Sequence, residues 1–102
     1  MVVEYIRYSI DAPRGDAFQQ AYTEAGRILE AAPQCLGYEI SRCSEEPSAF
    51  TVRIEWESEE AHLQGFRRSG AFAPFLELVR PFYGDIQEMR HYQPLVTNNN
   101  SK

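Results

Sequence analysis

The spacing of apolar residues along this chain changes from two to nearly four and back, twice, and that order admits few folds. Residues 2–10 alternate, with Val2, Ile6, Tyr8 and Ile10 on one parity and Tyr5, Arg7 and Ser9 on the other. Asp11-Ala12-Pro13-Arg14-Gly15 breaks the strand. From Asp16 the residues Phe18, Ala21, Tyr22, Ala25, Leu29 and Ala32 repeat at helical spacing, and Pro33 ends the amphipathic helix. A strand over Leu36–Cys43 and another over Phe50–Trp56 flank the turn Ser44-Glu45-Glu46-Pro47-Ser48, which makes a hairpin. Ser58 is an N-cap candidate with Glu59 and Glu60 in the first turn, opening a short helix that carries Leu63 and Phe66 and breaks at Ser69-Gly70. Phe72, Phe75, Leu76 and Val79 then define a second helical piece, closed by Pro81 and Gly84. The last strand, from about Tyr83 to Tyr92, sets Ile86, Glu88, Arg90 and Tyr92 against Gln87, Met89 and His91.

The order β-α-β-β-α-β predicts an α+β, ferredoxin-like sandwich: a four-stranded antiparallel sheet with both helical segments on one face. It predicts a single domain over residues 1–94, followed by a disordered tail, residues 95–102. On the first three strands the parity of Ile6, Tyr8, Tyr38, Ile40, Val52, Ile54 and Trp56 meets the helices. The other parity carries Arg7 and Arg53 with Glu39 and Glu55, opposite charges that can pair across strands and be sandwiched against a second copy.

At 102 residues such a domain buries a limited fraction of its surface, so a partner subunit is favoured. Ten basic residues against fifteen acidic ones give a net charge of −5, which argues against nucleic acid. No apolar run is long enough to span a membrane, and the first residues, Met1-Val2-Val3-Glu4-Tyr5, lack the features of a signal peptide, so the expected location is the cytoplasm. Cys35 and Cys43 are about 26 Å apart along an extended segment, too far for a disulfide, and neither has a partner at zinc-ligand spacing. Both are read as free thiols.

The strand order, the Gly37-Tyr38-Glu39 opening of the second strand, and the stretch Ile54-Glu55-Trp56-Glu57-Ser58 leading into Glu60-Ala61-His62-Leu63 resemble the antibiotic biosynthesis monooxygenase (ABM) family of dimeric α+β barrel proteins. The resemblance spans residues 2–92. It implies a homodimer joined through its sheet faces, with a pocket in each subunit between helices and sheet. It also implies cofactor-independent oxygenation of a small aromatic phenol or quinol, in which a deprotonated, electron-rich ring gives an electron to O₂ and no metal or cofactor is required.

The residues suit a flat ligand. Catalytic candidates are His62, which titrates near neutrality, Trp56 and Tyr22 to position a ring, and Tyr8 as an alternative proton acceptor. Phe18, Ile54, Phe66, Phe72 and Phe75 are the candidate substrate contacts, although plain core packing accounts for aromatics at these spacings equally well. His91 is read as structural and able to face the partner subunit. Arg7 and Arg53 are read as ion-pair partners rather than oxyanion holders.

The chain also departs from the family's pattern. Val52 stands where the polyketide-tailoring members carry an Asn, and the stretch from Gly65 to Phe72 has no His where quinol-oxidising and haem-degrading members have one. Phe75, Leu76 and Val79 fill the turns where a haem protein needs an axial His, so haem degradation is the weakest reading. The alternative to an oxygenase is a non-catalytic ligand-binding or interaction module that keeps the dimeric barrel.

Overall fold

The computed structural model describes residues 1–98. Strand β1, Val2–Ser9, leads through a 3₁₀ turn at Ala12–Arg14 into helix α1, Gly15–Ala31. The hairpin follows as β2, Cys35–Arg42, and β3, Ala49–Trp56. A π-turn at Ala61–Gly65, a 3₁₀ turn at Phe66–Arg68, helix α2 at Phe72–Val79 and a further 3₁₀ turn at Arg80–Asp85 then precede β4, Ile86–Tyr92. The four strands form one antiparallel sheet in the order β2-β3-β1-β4. This is the expected ferredoxin-like α+β arrangement. No element follows Tyr92 among the described residues, and the last residues of the expected tail lie outside them.

Alternation decides which strand residues are buried. Ile6 and Tyr8 of β1, and Val52, Ile54 and Trp56 of β3, meet Phe18, Tyr22, Ala25 and Leu29 of α1 in one core. On the opposite face Arg53 pairs with Glu55 at 2.5 Å and its Nε donates to the Tyr5 hydroxyl oxygen at 3.3 Å. Arg7 pairs at 3.3 Å with Glu88 of β4, and Glu39 accepts from Ser41, so the expected charge pairing is only partly the observed one. Both cysteines are free.

Two elements differ from expectation for local reasons. Ser58 Oγ does accept from the Ala61 amide at 2.9 Å, but the turn it caps widens: the Phe66 amide reaches back to the Ala61 and His62 carbonyls, and both His62 and Phe66 point inward. In β4 the pairing with β1 slips by one residue, from Arg7 opposite Glu88 to Tyr8 opposite Ile86. The extra residue, Gln87, is a bulge, and a bulge inverts parity. Ile86 therefore stays on the helix side with Tyr8, while Met89 and His91 oppose Ile6 and Glu4 on that same side. The expected facing of His91 toward a partner subunit is overturned by this single residue.

Helix α1 lies close on β2 because Gly26 has no side chain. A Cβ there would come within 2.6 Å of Tyr38 Cζ and 2.8 Å of its Cε2. The Tyr38 ring occupies that space and its hydroxyl donates to Glu30 Oε1 at 2.9 Å. Alanine normally gains about 1 kcal/mol over glycine inside a helix. Gly26→Ala should instead lower stability by about 1–2 kcal/mol, the usual scale of a packing error. In a Tyr38→Ala background the same change should become favourable, and urea denaturation of the four proteins measures the reversal.

Candidate active site

A cavity of about 40 Å³ lies between the sheet and α2. Ile6, Ile54 and Trp56 of the sheet and Phe66, Phe72, Phe75, Leu76 and Val79 of the helical layer give it apolar walls. Tyr83 and Met89, 49% and 38% exposed, line its mouth beside β4. Phe18 is not among the lining residues; it is fully buried behind the site, with its ring centroid 4.7 Å from Tyr8 and 5.1 Å from Tyr22. The other eight candidates, Tyr8, Tyr22, Ile54, Trp56, His62, Phe66, Phe72 and Phe75, all line the cavity.

The polar part is compact. Glu4 is 2% exposed and His62 3% exposed. Trp56 Nε1 donates to Glu4 Oε1 at 3.0 Å, and His62 Nε2 stands 3.7 Å from the same oxygen. The His62 imidazole lies flat on the Trp56 indole, centroids 4.2 Å apart and planes within 8°. Its other nitrogen, Nδ1, is 2.8 Å from His91 Nε2, so one of these two carries the shared proton. Arg67 lines the same cavity, and its buried Nε has no hydrogen-bond partner.

Burial moves these groups toward neutrality. Loss of water raises the Glu4 carboxyl above its ordinary value, against the lowering effects of the Trp56 hydrogen bond and the nearby His91 and Arg67. Loss of water lowers His62 to about 3, with the positive charges of Arg67 and His91 adding to it. At neutral pH the imidazole is therefore uncharged. It is a weak base alone, but any proton it accepts is received 3.7 Å from the Glu4 carboxylate. Base strength belongs to the pair.

Tyr8 and Tyr22 join hydroxyl to hydroxyl at 2.6 Å. One hydrogen bridges the two oxygens, which leaves the other free to donate. Burial pushes Tyr8 up to about 12 and Tyr22 well above its usual value, so both remain phenols. Tyr8 is thus a hydrogen-bond donor at neutral pH, which disfavours the expected role of proton acceptor.

The sequence reading missed Glu4, Arg67 and the inward face of His91. Glu4 had a signal: it occupies the apolar parity between Val2 and Ile6, where a carboxylate has to be answered. Arg67 carries no periodic signal, and His91 was hidden by the bulge.

A family model described as "Antibiotic biosynthesis monooxygenase" matches residues 1–78. The chain belongs to the antibiotic biosynthesis monooxygenase family. An uncharacterised Bacillus subtilis protein, YczJ, is 29% identical over 76 residues, covering 74% of this chain and 80% of YczJ. Among solved structures, a Bordetella bronchiseptica protein named as a presumptive antibiotic biosynthesis monooxygenase superposes with a TM-score of 0.81 at 23% identity, over 93% of this chain and 97% of its own. A point variant of SnoaB, a cofactor-independent oxygenase from Streptomyces nogalater, superposes with a TM-score of 0.70 at 11% identity, over 99% and 97% of the two chains. At these identities the superpositions establish a shared fold. Within the ABM family's frame this chain departs at Val52, which is fully buried and lines no part of the cavity; the cavity's charged and imidazole groups come from β1, the π-turn and the 3₁₀ turn after it instead. Among the described residues no helix is long and apolar enough to cross a membrane.

Two measurements check the site. Below about 6.5 an unfolded chain protonates residue 62, whereas the folded protein resists until about 3, so His62 makes stability fall as pH drops through that window. Glu4 acts oppositely: its burial costs nothing below 4.5 and destabilises as pH rises through its raised range. Urea midpoints between about pH 3 and 8 should show a flatter acid limb for His62→Phe, and a gain at neutral pH for Glu4→Gln, which still accepts from Trp56. Separately, Tyr8→Phe and Tyr22→Phe should each cost about 1–3 kcal/mol by stranding one hydroxyl, with the double variant costing less than the sum.

Proposed function

We propose that this protein is a cofactor-independent monooxygenase of small phenols or quinols, working as a cytoplasmic homodimer joined through the outer faces of its sheets. The observation that carries this reading is the neutral imidazole of His62, stacked on Trp56 and set between Glu4 and His91 at the wall of an aromatic cavity. The Glu4–His62 pair takes the proton from the substrate hydroxyl. The free hydrogen of the Tyr8–Tyr22 pair and the Arg67 guanidinium hold the resulting oxyanion.

The phenolate then gives an electron to O₂, and the two radicals combine to form a carbon–oxygen bond. Loss of the distal oxygen as water leaves a hydroxylated quinone when the substrate is a quinol. The substrate supplies all four electrons: two with insertion of oxygen, two in passing from quinol to quinone. Membership of the ABM family and the fold shared with SnoaB support this chemistry.

The cavity itself sets a condition. At about 40 Å³ it is well below the roughly 150 Å³ that accommodates benzene in an engineered apolar cavity. A ring can enter only if Tyr83 and Met89 swing out from the mouth. The same small volume favours the second reading, a non-catalytic dimeric binding or interaction module.

Oxygen uptake by the metal-free protein, measured with hydroquinones and anthrone-type phenols, separates the two. Catalysed uptake is expected, falling by about 10²-fold or more in His62→Ala and Glu4→Gln, the scale of a lost general base. Trp56→Ala should abolish ring binding. A panel without uptake above background, from folded protein, sinks the oxygenase and leaves the module.

A further inference from the structure

Three donor groups from three separate elements meet in this site: the Glu4 carboxylate of β1, the His62 imidazole of the π-turn and the His91 imidazole of β4. One donor atom from each lies within 4.8 Å of the other two. We propose that Glu4, His62 and His91 bind a divalent first-row transition ion through two imidazole nitrogens and one carboxylate oxygen, with the remaining coordination positions open to the cavity.

The geometry is near what such an ion needs. Donors held about 2.1 Å from one ion at right angles are about 3 Å apart, and His62 Nδ1 and His91 Nε2 already stand at 2.8 Å. The carboxylate oxygen, within 4.8 Å of the two nitrogens, has to close the remaining gap, about 1–2 Å at most. His62 Nδ1 and His91 Nε2 share one proton at this distance, and an ion replaces it.

The supporting groups are in place as well. Trp56 Nε1 holds the Glu4 carboxylate from behind, and its indole fixes the plane of the His62 ring, as outer-shell partners do around metal ligands. Glu4 and His62 line a cavity of about 40 Å³, which has room for one or two waters on an ion they hold, and His91 reaches His62 from beyond its wall. Two nitrogens and one oxygen without a thiolate suit Zn²⁺, Co²⁺, Ni²⁺, Cu²⁺ or Fe²⁺, and leave Mg²⁺ and Ca²⁺ poorly served. Arg67 is the opposing element, a cation lining the same cavity, and it sets the affinity below that of an unopposed site.

An occupying ion takes up the lone pairs that would receive the substrate's proton, so it inhibits the metal-free reaction. That consequence rests on the oxygenase reading; the binding does not.

The test is calorimetric titration of the chelator-treated full chain with Zn²⁺, and with Co²⁺ followed by its visible absorption. Saturation at one ion per chain is expected. Glu4→Gln and His91→Ala should each weaken it tenfold or more, Arg67→Gln should tighten it, and Mg²⁺ should give no heat. Should His91→Ala fail to fold, His91→Phe retains the ring volume and removes the donor. The absence of stoichiometric binding, or binding unchanged by Glu4→Gln and the His91 variant, overturns the site. Binding without any oxygen uptake leaves it standing and removes only the oxygenase.

Discussion

A carboxylate that is 2% exposed has to be compensated, and much of the polar architecture of this protein is the compensation. Glu4 sits where β1 is covered on both sides, by β3 and β4, and it turns toward the helices rather than to solvent. The indole N–H of Trp56 answers one oxygen. That bond fixes the indole, the indole carries the flat imidazole of His62, and the imidazole in turn reaches His91. One buried carboxyl thereby orders three other side chains from three other segments. The apolar walls around them remove the water that would otherwise dampen each interaction.

The same burial makes the site chemically unusual. In water a carboxylate and an imidazole at 3.7 Å would settle as an ion pair; here desolvation raises the carboxyl and depresses the imidazole to about 3, so a proton delivered to the pair rests on Glu4. This is an environment that takes up a proton without forming a charged imidazolium. It is also the environment in which a cation with a stronger claim than a proton can displace it.

The fold was legible because it rests on repetition. Alternation on β1, β2 and β3 and helical spacing on α1 and α2 set the element order and the buried face, and His62, Trp56, Tyr8 and Tyr22 followed from that face. What escaped was aperiodic. A residue added to one strand leaves no mark on composition, and Gln87 turned His91 and Met89 inward against the extrapolated parity. The turn at Ala61–Gly65 is a π-turn, closed by the Phe66 amide on the Ala61 and His62 carbonyls, which no spacing of apolar residues marks. Glu4 was written plainly on the apolar parity, but periodicity counts hydrophobic residues and passes over the exception among them. The Trp-Glu-Ser junction carried the family resemblance; the departure at Val52 coincides with polar groups drawn from other segments.

The bulge in β4 has an evolutionary side. Residues 88–92 present Glu88, Arg90 and Tyr92 on the outer face and Met89 and His91 on the inner one only because of the extra residue at position 87. Loss of one codon there would exchange the two sets, turning an imidazole away from His62 and a glutamate and an arginine toward the helices. The inner and outer faces of this strand are therefore one in-frame deletion apart, and selection on either face has to hold the length of the strand as firmly as its residues.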